Sequence, residues 1–517
     1  MVVQSAFTDF RRAIAPGRSE GSGTRGGNRH VSPAALALIL IGGLLIDQIL
    51  LWRFLGWISD LGALALSLGA CGGLIRVAAH LPMSGRGPGL RVLGGGFAVA
   101  LAVFMLGGEG RFFYATADWQ VRGAVLRDLT LYPWPYLYAD GDARLLLRAP
   151  IGIYLAPALV GKLAGLRAAE IALLLQNSAM LAILFGLGAT LFGSARARWR
   201  AVVVFLAFSG MDAVGQLLAA QPLTMNAERW VMPVFSAHIT QAFWVPQHAL
   251  AGWSAAILFL LWREGKLPPE LWLSAVPLLA LWSPLAAMGA MPFAALTIWE
   301  AARRREVTRH AIGWPALASL IAAPGLAYLA TGSAEVGSRP LAVPFNHYVL
   351  FELLEVGPYL LALAFAGWRG RFGGRLLVTF TAILLAMPFV QIGQLGDFAM
   401  RASIPALAVL AIGVADLLDR PVTDRLWPRL AMGALAIGAI TPAFEIWRAL
   451  VLPRAPAILC SFLGVVPGGY NTYVAAVERI PAFLVPDRAT SIRPQDPATC
   501  WDGPWPGPIL FADRGNG

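Results

Sequence analysis

Apolar stretches of 16 to 20 residues recur along most of the 517-residue chain, separated by short segments that carry arginine. A helix of that length rises about 1.5 Å per residue, which matches a hydrocarbon core about 30 Å thick. The pattern predicts spans near 34–52, 55–75, 91–107, 168–192, 201–219, 247–263, 271–283, 285–302, 311–330, 347–367, 376–393, 403–418 and 428–446. Ser283-Pro284 interrupts the apolar run 271–302, which forms either a short helical hairpin or one kinked span. The hairpin is preferred, because it leaves the charged segments on both sides on one face of the membrane. The expected fold class is an all-α polytopic membrane protein of about 13 transmembrane helices. It divides into a tail at 1–33, three helices over 34–107, a large loop at 108–167, a bundle over 168–446 and a second tail at 447–517.

Charge sets the expected sidedness. Only 13% of residues are charged and 57% are hydrophobic, and the net charge of +11 is nearly all arginine. In a soluble chain such a balance suggests nucleic acid. Here the arginines lie between apolar segments and read as cytoplasmic anchors, so the bilayer is the expected partner and nucleic acid is not. With the N-terminus inside, the inner segments collect Arg11, Arg12, Arg18, Arg25 and Arg29, then Arg76, Arg86 and Arg91, then Arg196, Arg198 and Arg200. Arg263 and Lys266, Arg303 to Arg305, Arg369, Arg371 and Arg375, and Arg420, Arg425 and Arg429 follow. The outer loops hold isolated Arg53, Arg229, Arg339 and Arg401. An odd number of spans puts the C-terminus outside. The glycine-rich, basic residues before Arg29 lack an apolar core and cleavage site, and read as a disordered cytoplasmic tail. Cys71 lies inside a span and reads as a packing residue. Cys460 and Cys500 fall in the outer tail, where oxidation is allowed, and a disulfide between them is expected.

The loop at 108–167 carries the chemistry. Glu109 stands at its start, and 118–129 has helical amphipathic spacing, with Val121, Val125 and Leu129 on one face and Asp118 and Arg122 as an i,i+4 pair. Residues 148–166 are apolar but broken by Pro150 and Pro157, and contain Arg148 and Lys162. Counting them as a span would invert everything downstream, so they are placed in the plane of the interface. A carboxylate there can activate an acceptor hydroxyl while a lipid-borne donor stays in the bilayer, particularly if burial raises its pKa. Asp118 and Glu109 are the candidate bases, with Asp128 behind them. The plainer readings are an Asp118 that only pairs with Arg122 and a Glu109 that is a solvated loop acid. Tyr132, Trp134, Tyr136 and Tyr138 either stack on sugar faces or, the preferred reading, anchor the loop at the headgroups.

Other polar groups cluster at span ends. The loop at 220–248 holds Asn226, Glu228, Arg229, Trp230, His238, Gln241, Trp244, Gln247 and His248. His248, at the membrane edge, suits a phosphate or hydroxyl, or is simply bonded to backbone at a helix start. His238 and His248 lack metal-ligand spacing, so no cofactor is expected and a divalent metal is the alternative. In the segment from Gln394-Leu395 to Arg401, the planar fork of Arg401 matches phosphate oxygens, and Asp397 either orients it or merely pairs with it. Asp47, Asp60, Asp212, Glu352 and Glu355 lie within spans, where acids mark ion pathways, but they are scattered and no internal repeat accompanies them.

This layout resembles the GT-C glycosyltransferases, which include protein O-mannosyltransferases and lipid A aminoarabinose transferases. The shared features are a membrane helix leading into a large outer loop with acids near its start, two interfacial helices, many further spans and an outer C-terminal part. The strings Ala117-Asp118-Trp119-Gln120-Val121-Arg122, Trp244-Val245-Pro246-Gln247-His248 and Asp397-Phe398-Ala399-Met400-Arg401 are similar to those of bacterial membrane proteins grouped near that superfamily. The likeness covers roughly residues 90–450. It implies an inverting transferase of the bacterial inner membrane, moving sugar from a polyprenyl-phosphate donor to a glycan, lipid or protein acceptor of the cell envelope. The catalytic carboxylate would be Asp118 or Glu109, and the phosphate-holding cation Arg401. His248 would assist, and Arg122, Trp244, Gln247 and Asp397 would complete the substrate site. Two departures stand out: two extra helices precede the loop, and the acids are nine residues apart instead of adjacent. The alternatives are a transporter or flippase of lipid-linked saccharide, and a glycan polymerase or ligase.

Overall fold

Each apolar stretch folds as a helix or as two helices with a break between them. The computed structural model describes residues 30–81, 87–221, 228–305, 307–366, 371–393, 396–421, 424–467 and 472–510. In chain order the helices are α1 Pro33–Phe54, α2 Asp60–His80, α3 Leu90–Leu106, α4 Asp118–Leu131, α5 Gly152–Ala164, α6 Leu166–Ala189, α7 Ala195–Ala207 and α8 Asp212–Leu218. Next come α9 His238–Trp244, α10 Pro246–Arg263, α11 Pro269–Leu279, α12 Pro284–Arg303, α13 Arg309–Ala330, α14 Ser333–Val336, α15 Phe345–Glu355 and α16 Gly357–Phe365. The last are α17 Gly374–Ala386, α18 Asp397–Ala402, α19 Ile404–Asp419, α20 Leu426–Gly438, α21 Ile440–Val451 and α22 Phe462–Val465. Short strands intervene: β1 Tyr136–Asp140, β2 Ala143–Leu147, β3 Ser338–Pro340, β4 Val390–Ile392, β5 Val474–Ala476 and β6 Thr490–Ile492.

Among the described residues, 7 helices are long and apolar enough to cross a membrane, or 8 when α15 and α16, bent by 60° to one another, count as one span. The chain is thus a mostly helical membrane protein. The ambiguous run at 271–302 becomes two helices in contact, but unequal ones: α11 has 11 residues, about 16 Å, too short to cross about 30 Å of hydrocarbon. The span expected over 376–393 ends early, because Pro388 cannot continue a helix and the chain turns into β4, which pairs with β3. Cys71 is not the packing residue expected: α2 packs on α1 and turns Cys71 outward with Leu61, Leu64 and Leu68.

Two helices form the centre of the bundle. Every residue from Pro246 to Trp262 in α10 and from Ile404 to Leu417 in α19 is buried, as a helix apolar on all sides should be. They touch closely at Gly252, where a Cβ would fall 2.4 Å from Ile404.

The loop at 108–167 and the C-terminal tail fold together as one extramembrane unit. A four-stranded sheet in the order β5-β2-β1-β6 takes two strands from each. β1 pairs antiparallel with β2 and parallel with β6, and β2 pairs antiparallel with β5. Cys460 and Cys500 form a disulfide inside the tail. Asp128 of α4 accepts from the Phe462 amide at 2.7 Å and from the Tyr138 hydroxyl at 2.9 Å, which ties tail to loop. This sheet is absent from the all-α expectation, because strands of three to five residues with distant partners leave no alternation to read. The loop aromatics are corrected too. Trp134, Tyr136 and Tyr138 are core residues of this unit, buried against Phe54 and Phe462, and neither face sugars nor sit among headgroups. Helix α5, the segment placed in the interface plane, is 13 residues long and packs on α1, α4 and α6.

Candidate functional site

Both central helices begin beneath the extramembrane unit. The chain breaks at Val245 after α9, and Pro246 opens α10, so Gln247 and His248 occupy its first turn. Helix α18 carries Asp397 and Arg401, and a break at Ser403 leads into α19. Gly289 of α12 lets the end of α18 approach: a Cβ there would lie 1.9 Å from the Ala402 carbonyl oxygen. Ser283, the residue that interrupted the apolar run, accepts the Ala286 amide at 3.0 Å and so caps α12. Its hydroxyl also meets His248 Nδ1 at 2.7 Å. Accepting from Ala286 leaves the hydroxyl proton free for Nδ1, an arrangement that keeps the ring in place.

Arg122 of α4 comes down onto this floor. Its guanidinium is 1% exposed and donates to Asp118 Oδ2 at 3.2 Å, to Gln247 Oε1, and at 3.5 Å to the Tyr154 hydroxyl of α5. Arg401 donates to Asp397 Oδ2 at 3.1 Å. The Nε of each arginine is buried with no partner among the described residues, and a buried donor left open is unusual enough to need an explanation. His248 lies in the field of both arginines. The Tyr473 phenol, from the tail, lies in the field of both arginines and both aspartates. The site is therefore two Asp–Arg pairs, one from the extramembrane unit and one from the bundle, around His248 and Tyr473. The two central helices start here, and their positive ends favour an anion.

The two candidate bases are not equivalent. Asp118 is 32% exposed beside its arginine. Glu109 is buried, not a solvated loop acid, and accepts from Asn177 Nδ2 at 2.8 Å while its other oxygen has no partner among the described residues. Burial holds the Glu109 carboxyl well above the usual carboxylate range, against the Asn177 bond and the Arg122 charge. Glu109 is therefore the buried acid of the two, and Asp118 the one open to a substrate. Burial also raises Asp397, opposed by Arg401 and reinforced by the charge of Asp118. Tyr473 is likewise pushed up by burial and stays a phenol, able to donate.

Other residues singled out from the sequence lie elsewhere. Trp244 donates to Glu445 Oε2 at 3.2 Å and lies 5.3 Å from Arg448, which also covers the Tyr114 ring. It belongs to that neighbouring cluster and not to the Arg122 group. Asp128 is a structural acid between loop and tail; burial pushes it up to about 7 despite bonds from Phe462, Tyr138 and Arg127. His238 sits in an aromatic box of Phe205, Phe208 and Trp253 with Nδ1 on the Phe205 carbonyl, apart from the His248–Ser283 contact. Among the described residues no three His, Cys, Asp or Glu side chains are placed to hold a metal. Asn226, Gln394 and Leu395 lie outside the described residues.

The intramembrane acids are less scattered than the sequence suggests. Asp212 accepts from Ser209 at 2.8 Å and Thr441 at 2.9 Å, and lies in the field of Glu355, which accepts from Trp230 at 3.1 Å. Glu228 lies in the field of both. The three meet where α7 breaks into α8 and where α15 bends into α16, a proximity only the tertiary fold creates.

Sequence reasoning missed Tyr154, Tyr473 and Asn177. Tyr154 lay in a segment read only for its apolarity. Tyr473 reaches the site through a sheet built from strands far apart in the chain, and no local signal marks it. Comparison with protein-family models, with curated proteins and with solved structures finds no match.

Proposed function

We propose that the chain is a membrane glycosyltransferase of the GT-C type, moving a sugar from a polyprenyl-phosphate donor to a cell-envelope acceptor at the outer face of a bacterial inner membrane. In this reading the chain crosses the bilayer many times, α11 and α12 enter it together as a hairpin from one face, and the N-terminus is inside with the extramembrane unit outside. The observation that carries it is the convergence of an accessible carboxylate, Asp118, with Arg401, His248 and Tyr473 where an extramembrane unit meets the starts of two buried helices.

Asp118 takes the proton of the acceptor hydroxyl as that oxygen attacks the anomeric carbon. The bond from that carbon to the donor phosphate breaks, and the polyprenyl phosphate leaves with its charge facing Arg401, whose side chain is 22% exposed. Attack opposite the leaving group inverts the anomeric carbon. Arg122 is locked by three partners and holds Asp118 in place rather than meeting substrate.

The test is Asp118→Asn, expressed at normal levels and assayed for glycosylated envelope product by mass spectrometry in cells lacking the wild-type copy. Transfer should fall by about 10²- to 10⁴-fold, the range for a lost general base. Full retention of product removes Asp118 as the base.

The buried acids Asp212, Glu228 and Glu355 at two helix breaks favour a second reading, a transporter or flippase of lipid-linked saccharide. Glu355→Gln abolishing glycolipid translocation, with Asp118→Asn leaving it intact, would select that reading; a glycan polymerase or ligase would instead show altered product length.

A further inference from the structure

At the end of the bundle away from the extramembrane unit, α3, α6 and α7 leave a groove of about 200 Å³. Its place follows from the helices. α3 and α6 both reach the extramembrane unit at one end, near Glu109 and Arg111–Glu170, and line the groove at the other with Arg91 and Ala189. The groove is amphipathic along its length. Arg91, Arg198 and Trp199 stand at its mouth, while Gly95, Phe185 and Val202 line it deeper in the bilayer. Gly95 forms an open floor, since a Cβ there would meet nothing within 4 Å. Arg198 donates its Nε to the Phe192 carbonyl at 3.1 Å, and neither Arg198 nor Arg91 forms an ion pair among the described residues. Three other arginines at this end are paired with acids: Arg263 with Glu300 at 2.9 Å, Arg371 with Glu264 at 3.1 Å and Arg420 with Asp416 at 2.9 Å.

We propose that this groove binds one anionic glycerophospholipid of the adjacent leaflet, its phosphate on Arg91 and Arg198 and one acyl chain over Gly95 between Phe185 and Val202. Two cations without acids select a negative headgroup. Trp199 at the mouth suits the headgroup level, where an amphipathic ring is at home. The apolar channel leading inward requires a chain attached to that headgroup, which a free phosphate lacks. The binding site is separate from the Asp118–Arg401 group and does not depend on the reaction proposed there.

The experiment is native mass spectrometry of the full-length protein released from bilayers of phosphatidylglycerol and phosphatidylcholine in equal amounts. Wild type should retain one phosphatidylglycerol in preference to phosphatidylcholine. Arg91→Ala/Arg198→Ala should lower that occupancy about thirtyfold, since each basic contact near an anionic surface is worth roughly fivefold. Gly95→Leu, which fills the floor and leaves both arginines, should displace the lipid, whereas Arg309→Ala, an exposed arginine outside the groove, should not. Glycerol phosphate, the headgroup without chains, should fail to compete. Phosphatidylglycerol should also raise the melting temperature of wild type and not of the double variant, a readout independent of adduct survival. Equal retention of the two lipids, undiminished phosphatidylglycerol on the double variant, displacement by glycerol phosphate, or a dimer of the chain that excludes lipid from this face would each overturn the proposal.

Discussion

Arg122 and Asp128 show what single residues do in this molecule. The Asp118–Arg122 spacing makes the pair readable in the sequence, but spacing does not tell which partner is locked. The fold decides that, by adding Gln247 from α10 and Tyr154 from α5 to the same guanidinium. A lysine keeps the charge but cannot serve three partners with one planar fork. Arg122→Lys should therefore destabilise the protein by about 2 to 3 kcal/mol, the loss of one or two charge-assisted hydrogen bonds in a buried place, measured as a lower melting temperature. Asp128 gives a pH prediction with a definite sign. Its folded pKa is raised to about 7 by burial, whereas the unfolded chain releases that proton near pH 4. The folded state thus holds a proton the unfolded state has lost, so this contribution to stability is whole below about pH 4 and is lost as pH rises towards 7, by at most about 4 kcal/mol. Asp128→Asn should flatten the pH dependence of unfolding between those values; an unchanged slope would show that another group titrates there.

At the scale of elements, close approach does the positioning. Gly289 admits the Ala402 carbonyl to a distance at which a methyl group would overlap it. Gly289→Ala should push α18 outward, at about 1 to 3 kcal/mol, and carry Arg401 away from His248, so activity should fall more than stability. Equal loss in both would mean that the contact only supports packing. The tail is the other positioned element. Tyr473 lies between Cys460 and Cys500, which close a loop with a sequence separation of 40. Loop-closure entropy puts that constraint at about 4 kcal/mol. Cys460→Ser/Cys500→Ser should expose the tail to protease and reduce transfer together, because the same segment presents Tyr473 to both ion pairs. The helices themselves were legible as apolar runs. The sheet was not, since its four strands come from two segments some 330 residues apart.

For the whole molecule, the sidedness inferred from arginine placement makes a direct prediction. In a Cys71→Ala background, with Cys460 and Cys500 oxidised, Arg144→Cys on the exposed hairpin should react with a membrane-impermeant maleimide in intact cells. Arg196→Cys, at the start of α7, should react only after permeabilisation. The reverse pattern would invert the topology and place the Asp118 group in the cytoplasm. The arginine bookkeeping was simpler in the sequence than in the fold. Arg263 and Arg371 are not free anchors but partners of Glu300 and Glu264, acids whose role no local pattern announces, and Arg420 pairs with Asp416 one turn before it.

The sequence by itself determined that the chain is a helical membrane protein, and that Asp118 with Arg122 and Asp397 with Arg401 form pairs. Each of these rests on apolar length or on i,i+4 spacing, quantities local to the chain. Only the tertiary structure decided that the two pairs face a common centre, that Glu109 is buried while Asp118 stays open, and that loop and tail are one folded unit. It also decided that Asp212, Glu228 and Glu355 meet. Burial and the contacts between distant segments depend on how helices pack and on which strands pair, and neither is written within any short window of residues.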